Sequence, residues 1–185
     1  MNYAVIKTYD IANGPGVRVS LFVSGCRHHC PGCFNSEAWD FNYGKTFDTD
    51  AANKIFDASD KEYISGLSLL GGEPFEPENS DVLARFTSEY RERFPKKGIW
   101  CYTGFTFEDI AGGKLKNSNS AKQLLQNTDV LVDGKFDSSL HSPSLVFRGS
   151  SNQRIIDVPK SLKTGEPVWL DGVWERKMGD NNIYK

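Results

Sequence analysis

The strongest constraint on the fold is a strand, helix, strand pattern in the middle of the chain. Residues 64–70 and 98–102 are short apolar runs, and residues 81–93 between them carry apolar side chains at helical spacing. A helix between two such runs predicts parallel neighbouring strands joined by a crossover helix. The chain therefore predicts an α/β fold built on a parallel sheet.

The same alternation continues on both sides of this unit. Further strand patterns cover residues 3–7, 17–23, 129–132 and 167–170, and further helix patterns cover residues 50–58 and 121–126. Asn-Gly-Pro-Gly at residues 13–16 predicts a tight loop between the first two strands. Residues 136–160 are dominated by Ser, Pro, Asn and Gly, which predicts a long loop or a mobile flap.

The length of the chain limits how many such units it holds. With 185 residues we expect one domain, residues 1–185, in which the polar residues 175–185 could be a flexible tail. A complete eight-stranded barrel typically needs about 250 residues. The fold class predicted here is therefore α/β, an open partial (β/α) barrel with about five or six mainly parallel strands and outer helices.

Composition excludes two kinds of partner. Mean hydropathy is -0.48, and no apolar run approaches the roughly 20 residues that span a bilayer, so we expect no membrane association. The first residues lack the basic and long apolar segments of a secretory signal, so we expect a cytoplasmic protein. A net charge of -2 without a basic cluster indicates that nucleic acid is not a partner.

Three cysteines, Cys26, Cys30 and Cys33, lie close together in the sequence, and in a cytoplasmic chain this clustering indicates metal binding. Thiolates are soft donors that bind iron tightly, and spacings of this kind let one loop wrap one cluster. Pro31 and Gly32 favour a loop over a helix. Three thiolates leave one iron of a four-iron cluster without a protein ligand, and that iron can bind substrate.

Other uses of the cysteines remain open. Structural zinc takes four ligands, and the candidates for a fourth are His28, His29 and Cys101. Cys101 lies between large apolar neighbours, which predicts a core residue, and the two histidines are predicted to be exposed loop residues. A noncatalytic metal module and a simple electron carrier are therefore alternatives, although an electron carrier normally has a complete set of protein ligands.

Two motifs resemble a known family. Cys-x3-Cys-x2-Cys followed directly by Phe34 is similar to the cluster loop of radical S-adenosylmethionine (SAM) enzymes. Residues 13–18, Asn-Gly-Pro-Gly-Val-Arg, resemble a signature of the glycyl-radical activating enzymes in that superfamily. Within this group, residues 30–35 and 147–154 are most similar to members that act on the anaerobic ribonucleoside-triphosphate reductase. The resemblance extends from about residue 3 to residue 157.

The resemblance implies an oxidoreductase with two cofactors. Cys26, Cys30 and Cys33 would hold a [4Fe-4S] cluster whose open iron is chelated by SAM. After reduction by a one-electron donor such as a flavodoxin-like protein, the cluster would cleave SAM to methionine and a 5′-deoxyadenosyl radical. That radical would take a hydrogen atom from one glycine of the anaerobic ribonucleoside-triphosphate reductase. Alternatives of the same chemistry are activation of another glycyl-radical enzyme and a reaction on a small heterocycle.

The resemblance also implies which residues contact SAM. Phe34 would lie against the adenine, and the backbone of Gly32 and Cys33 would contact it. A second motif follows the strand at residues 64–70, at the carboxyl end where α/β folds place ligand sites. This motif comprises Gly71, Gly72, Glu73 and Pro74. Its glycines permit close backbone approach, and its carboxylate could accept hydrogen bonds from the ammonium of SAM.

Two further polar segments are candidates for the same cleft. Asp133 and Lys135 follow the strand at residues 129–132, and their spacing resembles an Asp-x-Lys element of the SAM site in related activating enzymes. A plain surface turn is the alternative, because Asp-Gly is a common turn pair. Arg148 and Arg154 could pair with the carboxylate of SAM or with a partner loop, or could belong to a solvated loop.

Overall fold

The computed structural model describes residues 1–172, which contain a seven-stranded sheet and five α-helices. The strands are β1 (Asn2–Asp10), β2 (Val17–Val23), β3 (Lys45–Thr46), β4 (Ile64–Gly71), β5 (Gly98–Tyr102), β6 (Val130–Asp133) and β7 (Arg154–Asp157). The helices are α1 (Thr49–Ser59), α2 (Pro77–Arg93), α3 (Phe107–Ala111), α4 (Ser118–Asn127) and α5 (Val158–Thr164). None of the helices in this part of the chain has the length and apolar character needed to cross a bilayer.

The sheet has the order β3-β1-β2-β4-β5-β6-β7 and is not closed. Its middle strands β2, β4, β5 and β6 are parallel, which confirms the prediction of an α/β fold with a parallel sheet. Strands β1, β3 and β7 pair antiparallel with their neighbours. The described residues thus hold seven strands instead of five or six, because antiparallel strands extend both edges.

The helices pack against one face of the sheet. The parallel strands are added in one direction, so right-handed crossovers place the connecting helices on the same side. The main core there joins sheet residues such as Leu67 and Ile99 to helix residues such as Leu83 and Leu124. The opposite face carries a smaller cluster of Trp100, Val130, Val132 and Ile155, which contains no helical residue. That face is therefore open to loops and ligands.

Two sequence predictions about the end of the chain are wrong. Residues 136–160 are not one long loop, because they contain β7 and the beginning of α5, where the buried Ile155 and Ile156 pack. Residues 167–170 do not form a strand, and Trp169 makes only an isolated bridge with Ile156.

The short helix α3 was not predicted, although Thr106 caps it by accepting a hydrogen bond from the backbone of Asp109. The predicted tail at residues 175–185 lies outside the described residues.

Arg18, the last residue of the Asn-Gly-Pro-Gly-Val-Arg motif, ties three strands together inside the protein. Its side chain is almost fully buried, and its Nη2 donates to the carbonyls of Leu67 at 2.8 Å and Gly98 at 2.7 Å. Its Nε donates to Ser68 Oγ, which in turn donates to the carbonyl of Asn13 in the preceding loop. Burial lowers the pKa of this guanidinium to about 10. The motif therefore fixes the loop at residues 11–16 against the sheet.

We expect an Arg18→Met variant to lose roughly 3 kcal/mol in free energy of unfolding, because buried carbonyls lose a charged donor. Urea denaturation followed by circular dichroism measures the loss. An Arg85→Met variant is the control, since Arg85 is exposed on α2. Equal stability of the two variants would contradict the role given to Arg18.

Candidate functional site

A cavity of about 420 Å³ lies at the carboxyl ends of the parallel strands, and its volume falls in the range of small-ligand sites. The predicted site residues that line it are Cys26, Cys30, Cys33, Phe34, Gly71, Gly72 and Glu73. Residues 11–13 and residues 145–149 contribute further lining from distant parts of the chain. Both predicted motifs, the cysteine loop and the turn after β4, are thus brought together in one place.

The cysteine loop is held by backbone hydrogen bonds where it leaves β2. The amide of Cys26 donates to the carbonyl of Trp39 at 3.1 Å, and the amide of Cys33 donates to the carbonyl of Cys30 at 3.1 Å. Gly32 completes this second turn with a φ of 75°, a conformation that favours glycine. None of the three cysteines forms a disulfide.

The donor set fits an iron–sulfur cluster. In residues 1–172, no three Cys, His, Asp or Glu side chains converge on a position for a single metal ion, and all three thiols line one cavity. A cluster is larger than one ion, and its ligands need not converge on one point. Soft thiol donors are those that iron–sulfur clusters take.

Burial disfavours the thiolate form of two of these cysteines. It raises the pKa of Cys26 to about 12, and the charge of Glu73 adds to this effect. Burial also raises the pKa of Cys30, which the charge of Lys135 partly offsets. Metal ligation requires thiolates, and the positive charge of bound iron reverses this local preference.

The turn after β4 is bonded directly to the start of the cysteine loop. The amide of Gly72 donates to the carbonyl of Val23 at 2.7 Å, and the amide of Glu73 donates to that of Gly25 at 2.8 Å. Asn79 Nδ2 donates to the carbonyls of Ser24 and Glu73, each at 2.9 Å. The two motifs therefore form one rigid unit.

The carboxylate of Glu73 is buried and has several protein partners. Its Oε1 accepts from Thr103 Oγ1 at 2.8 Å and from the amide of Phe75 at 2.9 Å, and its Oε2 accepts from the amide of Gly104 at 2.7 Å. Sequence reasoning missed Thr103 and Gly104. Their place directly after the strand at residues 98–102 was the signal that could have found them, because carboxyl ends of parallel strands share one edge.

The residues between the cysteines differ from expectation in one case. The prediction that His28 is exposed is wrong, because its side chain is only 9% exposed and its Nε2 lies 3.0 Å from Glu73 Oε2. His29 is exposed, as predicted, and stacks on Trp39. Cys101 is fully buried in the core on the helix side of the sheet, which confirms the prediction of a core residue.

Three other predicted contacts of SAM are placed differently relative to the cavity. Phe34 is 84% exposed at the cavity and leaves a large aromatic face in solvent. Pro74 and Gly32 are not among the lining residues of the cavity. The assignment of all three residues to SAM stays a prediction.

Asp133 lies at the end of β6, is fully buried, and makes an ion pair with Arg154. Arg154 Nε donates to its Oδ1 at 2.9 Å, and the amide of Phe107 donates to its Oδ2 at 2.7 Å. Arg154 also pairs with Glu108 at 2.7 Å. Hydrogen bonds to these two carboxylates raise the pKa of Arg154 above its ordinary value. Arg154 thus anchors β7 and α3 to β6.

Of the residues at the end of β6, Gly134 reaches the cavity, and Asp133 does not. Gly134 lines the cavity, whereas Lys135 is exposed and acts on Cys30 through its charge. Arg148 also lines the cavity, and its Nη1 donates to the carbonyl of Gln153 at 2.9 Å. The polar segments after β6 therefore form one wall of the site.

We expect Arg154→Met to lower the free energy of unfolding by roughly 2 kcal/mol, because Asp133 is left buried without its cation. The loss should be smaller than for a fully buried pair, since Arg154 is partly exposed. Arg93→Met is the control, because its pair with Glu89 is exposed on both sides and is worth less than about 1 kcal/mol. Urea denaturation of both variants decides, and an unchanged midpoint for Arg154→Met would contradict the anchoring role.

Comparison with known proteins gives consistent matches over most of the chain. The family model described as 4Fe-4S single cluster domain matches residues 12–156. A protein of Enterobacteria phage T4 is 38% identical over 177 residues, covering 95% of this chain and 99% of its own. Proteins of Pasteurella multocida and Escherichia coli K12 are 41% and 39% identical, covering 84% and 83% of this chain and 96% of their own. All three relatives are named anaerobic ribonucleoside-triphosphate reductase-activating protein.

Proposed function

We propose that this chain generates the glycyl radical of an anaerobic ribonucleoside-triphosphate reductase. The premise is that the chain belongs to the family of anaerobic ribonucleoside-triphosphate reductase-activating proteins, with a 4Fe-4S single cluster domain. One observation supports this most. Cys26, Cys30 and Cys33 line the same cavity as residues 71–73, so a cluster ligand set and a candidate cofactor-binding turn share one site.

In this proposal Cys26, Cys30 and Cys33 hold the [4Fe-4S] cluster, and the cavity beside them binds SAM. When bound and reduced by an external one-electron donor, the cluster would supply one electron to the sulfonium of SAM, which would give methionine and a 5′-deoxyadenosyl radical able to take the glycine hydrogen atom. The thiols fix the position of the cluster, and the rigid turn at residues 71–73 fixes the reacting part of SAM relative to it. The apolar side chains of the cavity, among them Leu70 and Tyr102, exclude water.

The remaining contacts of SAM are assigned to groups around the cavity. Phe34 would cover the adenine, with backbone contacts from Gly32 and Cys33, and its exposed ring is available for this. Gly71, Gly72 and Pro74 would shape the backbone around the methionine part, and the ammonium of SAM would lie against Glu73. Asp133 would act by fixing the position of Gly134, which lines the cavity, and Lys135 would contribute its charge near Cys30.

The shape of the site suits a protein substrate. We propose that residues 1–185 form a single radical SAM domain and that the open sheet is a partial (β/α) barrel, since its helices lie on one face and the site lies at the carboxyl ends of its strands. An open side admits a glycine on a loop of the reductase. The electron would come from a flavodoxin-like donor, and the reaction would take place in the cytoplasm, where thiols stay reduced.

An anaerobic assay tests the function directly. Reduced protein with reconstituted cluster is mixed with SAM and an anaerobic ribonucleoside-triphosphate reductase, and a glycyl radical is measured by electron paramagnetic resonance. We expect a radical on the reductase and one deoxyadenosine for each radical formed. Deoxyadenosine without a protein radical would instead favour a small-molecule substrate. One zinc per chain without iron or sulfide would identify a noncatalytic metal module.

A further inference from the structure

His28 occupies a buried position inside the cysteine loop that the ligand set does not explain. It lies between Cys26 and Cys30, yet its side chain turns inward and is only 9% exposed. Its ring packs against Phe105 with a centroid distance of 4.5 Å. Its Nε2 lies 3.0 Å from Glu73 Oε2, within ion-pair distance although not aligned as a regular hydrogen bond. A loop residue is thus in contact with the buried carboxylate of the next motif.

The place of His28 depends on a glycine at the end of the neighbouring strand. A Cβ on Gly104 would approach the His28 ring to 2.4 Å, so a larger residue there would push the ring out. The amide of Gly104 also donates to Glu73 Oε2, and Thr103 donates to the other oxygen. The ring, the carboxylate and the end of β5 therefore pack as one unit.

We propose that His28 is a positioning residue for the binding of SAM. His28 fixes the Glu73 carboxylate and couples the cysteine loop to the ends of β4 and β5. This inference rests on the proposed function, because it assigns His28 a task toward the SAM that Glu73 would bind. A buried carboxylate keeps a defined orientation only while groups around it hold both oxygens. Loss of His28 removes the contact of Oε2 on the side of the cysteine loop and leaves this oxygen only the amide of Gly104. The loop also loses a contact with the turn after β4.

Arg27 provides a matched control in the same loop. Its side chain pairs with Glu76 and Glu78, which follow Glu73 in the sequence, but it is 56% exposed and does not line the cavity. Arg27→Gln therefore loosens the same loop from the same segment without contact with Glu73. A difference between the His28 and Arg27 variants separates positioning of Glu73 from general support of the loop.

The experiment measures SAM binding and cluster content together. His28→Phe keeps an aromatic ring against Phe105 and removes the polar contact. We expect its Kd for SAM to rise about tenfold, as for other residues that orient a ligand-binding group. Iron content and the electron paramagnetic resonance spectrum of the SAM-free reduced cluster should match the wild type, while the spectral change on SAM addition should be reduced. Arg27→Gln should bind SAM within about twofold of the wild type.

A second set of variants tests the proposal even if His28→Phe fails to keep its cluster. Gly104→Ala keeps every residue of the cysteine loop and displaces the His28 ring from the other side, so it should also raise the Kd for SAM about tenfold. In a His28→Ala background the ring is gone, and Gly104→Ala should add less than about twofold. SAM binding at the wild-type level in both His28→Phe and Gly104→Ala would overturn the proposal, as would independent effects in the double variant. Failure of the wild-type protein to bind SAM would overturn the proposed function itself.

Discussion

A Cys30→Ala variant is expected to purify with little iron and to form deoxyadenosine from SAM far more slowly than the wild type. Cys30 is the middle thiol of the three that line the cavity, and its carbonyl closes the turn to Cys33. Removing it leaves two thiols for a cluster that would already have one open iron. Because loss of an orienting residue alone costs about 10-fold to 100-fold, loss of a ligand should lower the rate by more than about 100-fold. Iron analysis and an anaerobic deoxyadenosine assay measure the two effects.

Cys101→Ala is the matched control for this variant. Cys101 is a fully buried cysteine on the helix side of the sheet, away from the cavity. Its replacement should retain iron and SAM cleavage while lowering the free energy of unfolding by roughly 1 kcal/mol. Full activity of Cys30→Ala, or loss of iron in Cys101→Ala, would show that the ligand assignment is wrong.

A Gly72→Ala variant should lose about 100-fold in the rate of SAM cleavage. A Cβ at this position would lie 2.6 Å from the carbonyl oxygen of Gly25 and 2.9 Å from that of Ala38, and backbone atoms cannot yield as a flexible side chain can. The turn after β4 and the start of the cysteine loop must therefore separate. A displacement of about 1 Å between reacting groups is enough to cost about 100-fold in rate. Deoxyadenosine formation, compared at equal iron content, measures this loss.

Gly165→Ala separates this effect from the general cost of replacing glycine. Gly165 ends α5 at a φ of 80° with no atom within 4 Å of an added Cβ, so alanine meets strain but no clash. It should cost about 1 kcal/mol in stability and leave the rate unchanged. A Gly72→Ala variant as active as Gly165→Ala would contradict the tight contact between the two motifs.

The parts of the site that could be predicted are those whose signal is local. The three cysteines are close in sequence. Residues 71–74 directly follow a recognisable apolar strand, and the carboxyl end of a parallel strand is where ligand sites are expected. The environment of His28 could not be predicted in this way. It is formed by Glu73 and Gly104, which are far along the chain and become neighbours only when β4 and β5 pair.

The same distinction explains the fold. Strands β4 and β5 are rich in buried apolar residues and were predicted nearly to the residue. Strand β7 has only two apolar residues between Arg154 and Asp157, and it is stabilised by pairing with β6 and by the ion pair to Asp133. The antiparallel direction of β1 follows from its short connection to β2, because parallel neighbours need a much longer crossover.

The walls of the cavity have a consequence for biosynthesis. Residues 11–13 and the cysteine loop leave the ribosome early, whereas residues 145–149, which line the same cavity, leave it only after β6. Until then the nascent chain holds its thiols in an incomplete pocket, at a synthesis rate of about 5 to 20 residues per second. The complete wall around the three thiols therefore exists only once residues 145–149 have been synthesised and folded against the earlier part of the chain.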